Sequence, residues 1–192
     1  MHIQTHIMSG WCVANCFRLT PRERVFCMVA ASVADLDGLG IVRGTLSSAY
    51  LDYHHVLAHS LPFGLIACAL LTVFSKHRIK ALLLFLALFH LHLLLDYFGS
   101  GPGWDIYYLW PLSRLRIPNS YSWEFYSVQN ISFAFFLFLW TVAIAVRAGR
   151  TPLEVLMPNL DRQIVELLRT WFGRRAKAPA GTTETLKQRT EE

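Results

Sequence analysis

From Val128 to Val146 the chain carries no charged side chain at all. A bilayer crossing takes about 20 apolar residues, so this run is a spanning helix by length and composition. A second run, Ile79 to Phe98, is apolar until its far end, where Phe89-His90-Leu91-His92-Leu93-Leu94-Leu95-Asp96 places imidazoles and a carboxylate on the same segment. Ionisable groups are expensive in such a setting; taken alone, the His92 and Asp96 pair reads equally as metal ligands or as a core histidine hydrogen-bonded to a buried aspartate. Of 192 residues, 54% are hydrophobic and 16% charged, well short of the roughly 25% charged residues of a soluble domain. The length fits one domain. The basic excess, 18 Lys and Arg against 13 Asp and Glu, lies mostly in loops and the C-terminal tail. That is the pattern of a membrane protein with basic cytoplasmic segments, and it excludes a nucleic-acid groove.

Taken in order, Met1 to Phe17 is short and moderately apolar, and no basic segment, apolar core and cleavage site mark a removable leader. Thr20 and Pro21 read as a helix cap and first turn. Val25 to Val33 is apolar and small, then Ala34-Asp35-Leu36-Asp37 follows, and Gly38 to Asp52 reads as a loop. Pro62 suits the first turn of a helix running from Leu61 to Phe74, with His59 or Ser60 near the cap. Gly99 to Gln129 carries Trp104, Tyr107, Tyr108, Trp110, Tyr121, Trp123 and Tyr126, aromatics of the kind that collect at a membrane–water boundary. Leu160, Ile164, Leu167, Leu168 and Trp171 recur at helical spacing and predict an amphipathic surface helix. The expected fold is all-α: an integral membrane bundle with 3–5 membrane-embedded helices over residues 1–150, a surface helix within 151–173, and a polar, disordered tail over 174–192. Cys12, Cys16, Cys27 and Cys68 fall in apolar stretches and read as small buried hydrophobes rather than ligands.

The helix directions assemble a site. Arg18, Arg22 and Arg24, then Lys76, Arg78 and Lys80, then Arg147 and Arg150 mark one end of successive helices. The opposite ends carry His6, Asp35 and Asp37, His54 to His59, and His92 with Asp96. On a helix His92 and Asp96 are i, i+4 and share a face, while His90 points away. Imidazole and carboxylate with little thiolate suit zinc, manganese or iron, and such a group can hold one to three ions that activate water and clamp a phosphate. Spacing pairs His55 with His59 if a helix extends back that far; a bend near Pro62 would pair His54 with His59 instead. His77 reads as a solvated loop residue, His2 as a terminus, and Asp52 as a cap.

Five short motifs in order, Thr5-His6, Ala34-Asp35-Leu36-Asp37, His54 with His59-Ser60, His92-Leu-Leu-Leu-Asp96, and Gly103 with Leu109-Trp110-Pro111-Leu112-Ser113, resemble the inner-membrane-bound metal-dependent hydrolase family. The likeness covers residues 1 to 146. That family is in turn distantly similar to the all-helical zinc-dependent phospholipases C and single-strand nucleases. The resemblance implies metal ligation by His6, Asp35 or Asp37, His54, His59, His92 and Asp96. It places His55 where the family commonly has Arg, Ala58 where it has Thr, and Ala34 where it has Pro.

The expected activity is metal-dependent hydrolysis, of a phosphoester, with zinc the first choice of ion. His55, or whichever of Asp35 and Asp37 is not a ligand, serves as acid or base. The expected partners are the bilayer and a small or lipid-linked substrate. The expected location is a bacterial-type inner membrane crossed several times, with the tail cytoplasmic and the site on the other side; Arg43, Arg114 and Arg116 run against that charge bias.

Overall fold

The computed structural model describes residues 1–43 and 55–173, with residues 39–43 described by their backbone. Six α-helices follow in order: α1 (Ile3–Ala14), α2 (Pro21–Ser32), α3 (Leu61–Thr72), α4 (Arg78–Gly99), α5 (Val128–Ala148) and α6 (Pro158–Phe172), with a 3₁₀ segment, Val33–Arg43, running on from α2. Among the described residues the regular structure is helical, with a lone antiparallel bridge between Ile106 and Ile117.

Local chemistry sets the helix starts. Thr20 and Glu23 form a reciprocal capping box with Pro21 in the first turn of α2. Ser60 accepts from the Phe63 backbone N–H ahead of Pro62, so α3 begins after the histidine-rich turn and not within it. Ser127 caps α5, and Gly149, left-handed at φ 68°, ends it. Glycine is also required at Gly10, where an added Cβ would lie 2.7 Å from the Cys27 carbonyl oxygen and 2.8 Å from the Ala31 Cβ. That close approach lets α2 lie flush against α1.

Packing puts α1 on α2, α2 on α4, α3 on α4 and α5 on α1, with α6 against the end of α5. Helices α1 to α5 therefore alternate in direction, and the basic clusters at Arg18 to Arg24, Lys76 to Lys80 and Arg147 to Arg150 fall at one end of the bundle. There Arg24 makes a nearly buried two-pronged pair with Glu154 (2.6 and 2.7 Å), and Arg150 reaches Asn15 (2.8 Å). The middle is an apolar plug containing Cys27, Ala30, Phe85, Leu88 and Phe89.

Two helices, α4 and α5, are long and apolar enough to cross a membrane, and only 33% and 17% of their spanning windows are buried. A soluble core helix would be mostly buried, whereas α5 turns Ile131, Phe135, Phe136, Phe138 and Leu139 outward. Two spans is fewer than the 3–5 embedded helices expected. The reason is length: α1, α2 and α3 have 12 residues each, about 18 Å of rise against a hydrocarbon core of about 30 Å. The 3₁₀ segment also corrects the expected loop from Gly38, since helical turns continue to Arg43. The expected tail, 174–192, lies outside the described residues, as do Asp52 and His54.

The connection from α4 to α5 is a hydrogen-bonded cap over the bundle's other end. Buried Asn130 donates to the Gly99 and Phe125 carbonyls (2.8 Å each) and accepts from the Trp123 indole (2.5 Å). Buried Asn119 donates to the Gly101 carbonyl (2.8 Å) and accepts from the Gly103 N–H (3.1 Å). Tyr121 and Tyr126 remain exposed on the outside of this cap.

Candidate metal centre

Asp96, on the last turns of α4, is 1% exposed. No Lys or Arg pairs with it among the described residues. Its Oδ1 meets His6 Nε2 (3.2 Å), the Ser100 hydroxyl (3.0 Å) and the Met1 nitrogen. Its Oδ2 meets His92 Nε2 (2.9 Å) and His59 Nε2 (3.1 Å). The two imidazole nitrogens of His59 and His92 are themselves 3.2 Å apart, and Asp35 Oδ1 lies 3.8 Å from His92. His6 stacks on His92 with ring centroids 3.8 Å apart.

The outer nitrogens show which atoms face the centre. His92 Nδ1 lies 2.9 Å from the Ala31 carbonyl, which can only accept, so Nδ1 carries the hydrogen. In the neutral ring this leaves a lone pair on Nε2, directed at Asp96 and His59. His59 Nδ1 donates likewise to Asp37 Oδ2 (3.0 Å), and the Ala58 N–H donates to the same oxygen (3.1 Å). His55 Nδ1 donates to the Trp104 carbonyl (3.1 Å), and its ring stacks on His59 at 4.2 Å. Neutral imidazoles held this way turn electron pairs toward a carboxylate oxygen, and either a proton or a metal cation can join them; the Met1 ammonium meets the other oxygen, Oδ1.

The spacing suits that cation. Ligand atoms around a tetrahedral ion with bonds of about 2.0–2.1 Å stand about 3.3 Å apart, close to the separations around Asp96 Oδ2. Two groups offer ligand atoms within 4.8 Å of one another: His6, Asp35, His92 and Asp96, and His55, His59 and Asp96. Asp96 belongs to both. Three buried polar atoms beside them, Thr5 Oγ1, His6 Nδ1 and Asp35 Oδ2, have no hydrogen-bond partner among the described residues. The donor set is imidazole and carboxylate, which fits zinc, manganese or iron.

Of the residues singled out from sequence, His6, Asp35, His55, His59, His92 and Asp96 come together. Asp37 stands behind His59, on its Nδ1 side, and outside both groups. His54 lies outside the described residues. A backbone twist brings in His55, whose φ is 64°, rather than a helix extending back through it. His90 faces away and ties Leu86 (2.7 Å) to the Tyr108 hydroxyl (2.8 Å). His77 is exposed at the start of α4. Cys12, Cys27 and Cys68 are buried outside the centre, while Cys16 is exposed rather than buried. The Ala31 and Trp104 carbonyls were not legible in the sequence, because any residue supplies a carbonyl. Ser100 was legible: it continues the i, i+4 series of His92 and Asp96.

A cavity of about 190 Å³ opens onto the cluster, lined by Asp35, His55, Asp96, Ser100, Trp104 and Phe125 together with Met1. It is smaller than the roughly 300–1,000 Å³ of pockets that enclose whole ligands. Burial alone would lower the His59 imidazole, but hydrogen bonds to Asp37 and Asp96, and their charges, raise it to about 9. Below that pH a proton occupies the place a metal needs. Apparent affinity for zinc should therefore rise by about tenfold per pH unit toward pH 9, with a proton released on binding. Isothermal titration in buffers of different ionisation enthalpy reads both, and an affinity flat across this range would contradict the assignment.

The model of the YdjM inner membrane protein family matches residues 1–168. No curated protein and no solved structure matches the chain. The family match carries the membrane location and extends over all six helices except the last turn of α6. The helical bundle with two exposed apolar spans and the extent of the match agree: the chain belongs to the YdjM inner membrane protein family.

Proposed function

We propose that the chain is a metal-dependent hydrolase of the inner membrane, acting on a phosphoester of a small or lipid-linked substrate. The observation that carries the reading is the convergence of the His59 and His92 Nε2 atoms on Asp96 Oδ2, within 3.2 Å of one another. When bound, a divalent ion lowers the pKa of water and polarises a phosphoryl oxygen. His6, Asp35, His92 and Asp96 would hold one ion, and His55, His59 and Asp96 a second. Asp37 orients His59 rather than touching substrate. Asp35, lining the cavity with one oxygen unpartnered among the described residues, is the carboxylate placed to take a proton from an incoming water. The cavity is the size of a head group, so a lipid-linked substrate would enter phosphate end first. Transport is the weaker alternative, because the plug of Phe85, Leu88 and Phe89 closes the bundle between the cluster and its basic end.

In this reading α4 and α5 cross the membrane and α1, α2 and α3 are embedded beside them. Helix α3 turns Leu65, Ile66 and Leu70 outward, as lipid contact requires. The basic end faces the cytoplasm and the cluster faces away from it. A reporter fused after Arg150 should be active only in the cytoplasm; activity on the far side would invert the placement.

Detergent-purified protein should contain metal by elemental analysis and hydrolyse members of a phosphoester panel. His92→Ala and Asp96→Ala should each lose both metal and turnover, and the double variant should be little worse than either, since the residues act as a unit. Asp37→Ala should weaken metal affinity by roughly 10–100-fold, as loss of an orienting partner does. His77→Ala should change nothing. Metal loss in His77→Ala equal to that in His92→Ala would sink the ligand set, and metal without hydrolysis of any ester would leave a binding protein.

A further inference from the structure

A second cavity, of about 620 Å³, lies away from the His/Asp cluster. It runs between the α1–α2 turn and the first half of α4, and its walls are Phe17, Leu19, Leu83, Leu84 and Ala87. Lys80 precedes Asp96 on α4 by about 24 Å of helix rise, so the groove sits toward the opposite membrane face. The half of α4 that lines it belongs to a candidate span. Its natural solvent is therefore hydrocarbon, not water.

The polar part of the lining comes from Arg18, Lys80, His77 and Glu23. Glu23 is already engaged, because its Oε2 accepts from the Thr20 N–H and hydroxyl (2.9 Å each). Arg18 and Lys80 are exposed and form no ion pair among the described residues, whereas Arg24, the residue after Glu23, is matched by Glu154. Two cations against one carboxylate that is turned to the helix cap leave a net positive end on an apolar groove at membrane depth, which matches an anionic head group with a hydrocarbon chain.

We propose that this groove binds an anionic phospholipid of the leaflet facing the basic end. Arg18 and Lys80 hold its phosphate, and an acyl chain lies along Leu83, Leu84 and Ala87. The site is built by the α1–α2 turn and α4, so an occupied groove fastens together two elements that carry His6 and His92 at their other ends. It depends on the inner-membrane placement and is independent of whether the cluster holds metal.

The test is native mass spectrometry of the full chain released from detergent with added phosphatidylglycerol or phosphatidylcholine. Wild type should retain phosphatidylglycerol preferentially at one copy per chain. Arg18→Gln with Lys80→Gln should lower that retention by roughly tenfold and leave phosphatidylcholine retention unchanged. Ala87 is exposed, so Ala87→Trp fills the groove without disturbing the core and should reduce retention of both lipids. Arg162→Gln, on α6, should change nothing. Equal retention of the two lipids by wild type, full retention by the double glutamine variant, or an equal loss in Arg162→Gln overturns the proposal. Binding of inorganic phosphate without lipid, unaffected by Ala87→Trp, would show a free-anion site and overturn it as well. All variants are compared at matched circular dichroism.

Discussion

A carboxylate withdrawn from water at the end of an apolar helix is the constraint on which the rest of this structure depends. Asp96 has no Lys or Arg partner among the described residues; the Met1 ammonium meets one of its oxygens, and a buried charge at this depth needs every lone pair answered. The bundle answers by bringing imidazoles from three separate segments to its two oxygens: His6 from α1, His59 from the turn before α3, and His92 from one turn earlier on α4. Each segment must end at the same level for this to happen. The alternating helix directions, the flush α1–α2 contact at Gly10 and the cap built on Asn119 and Asn130 all serve that alignment.

The molecule is consequently polarised end to end. Acidic and imidazole groups collect at one end under a hydrogen-bonded cap. Cations collect at the other, where Arg24 is held by Glu154 and Arg150 by Asn15. Between them lies the apolar cluster of alanine, cysteine, leucine and phenylalanine. Chemistry at the cluster is thereby insulated from the basic end, which suits an enzyme better than a conduit. The hydrogen bonds behind His55, His59 and His92 fix ring orientation before any ligand arrives, so little reorganisation accompanies binding.

Much of this was legible in the residues. Uncharged runs marked α4 and α5, Thr20 and Pro62 marked helix starts, and the order of basic and ionisable clusters placed His6, Asp35, His59, His92 and Asp96 at one end. Helical spacing could not settle His55, because a positive φ in the turn, a tertiary outcome, decides where that ring goes. Nor could it separate Asp35 from Asp37. Two residues apart, they would face opposite ways on a strand, but on tightly wound 3₁₀ turns one reaches His92 and the other backs His59. Against the 3–5 embedded helices expected, two reach spanning length, because α1, α2 and α3 stop at 12 residues; helices of that length can pack in a membrane bundle without crossing it. The backbone carbonyls that fix the histidine tautomers leave no trace in a sequence.

The most direct measurement of the central claim is X-ray absorption at the zinc edge on protein purified and loaded with zinc. The account predicts a first shell of nitrogen and oxygen at about 2.0–2.1 Å, with the outer-shell scattering of at least two imidazoles, and loss of that imidazole signal in His92→Ala. A shell with sulfur at about 2.3 Å, or a spectrum of hydrated zinc unchanged by His92→Ala, would contradict it.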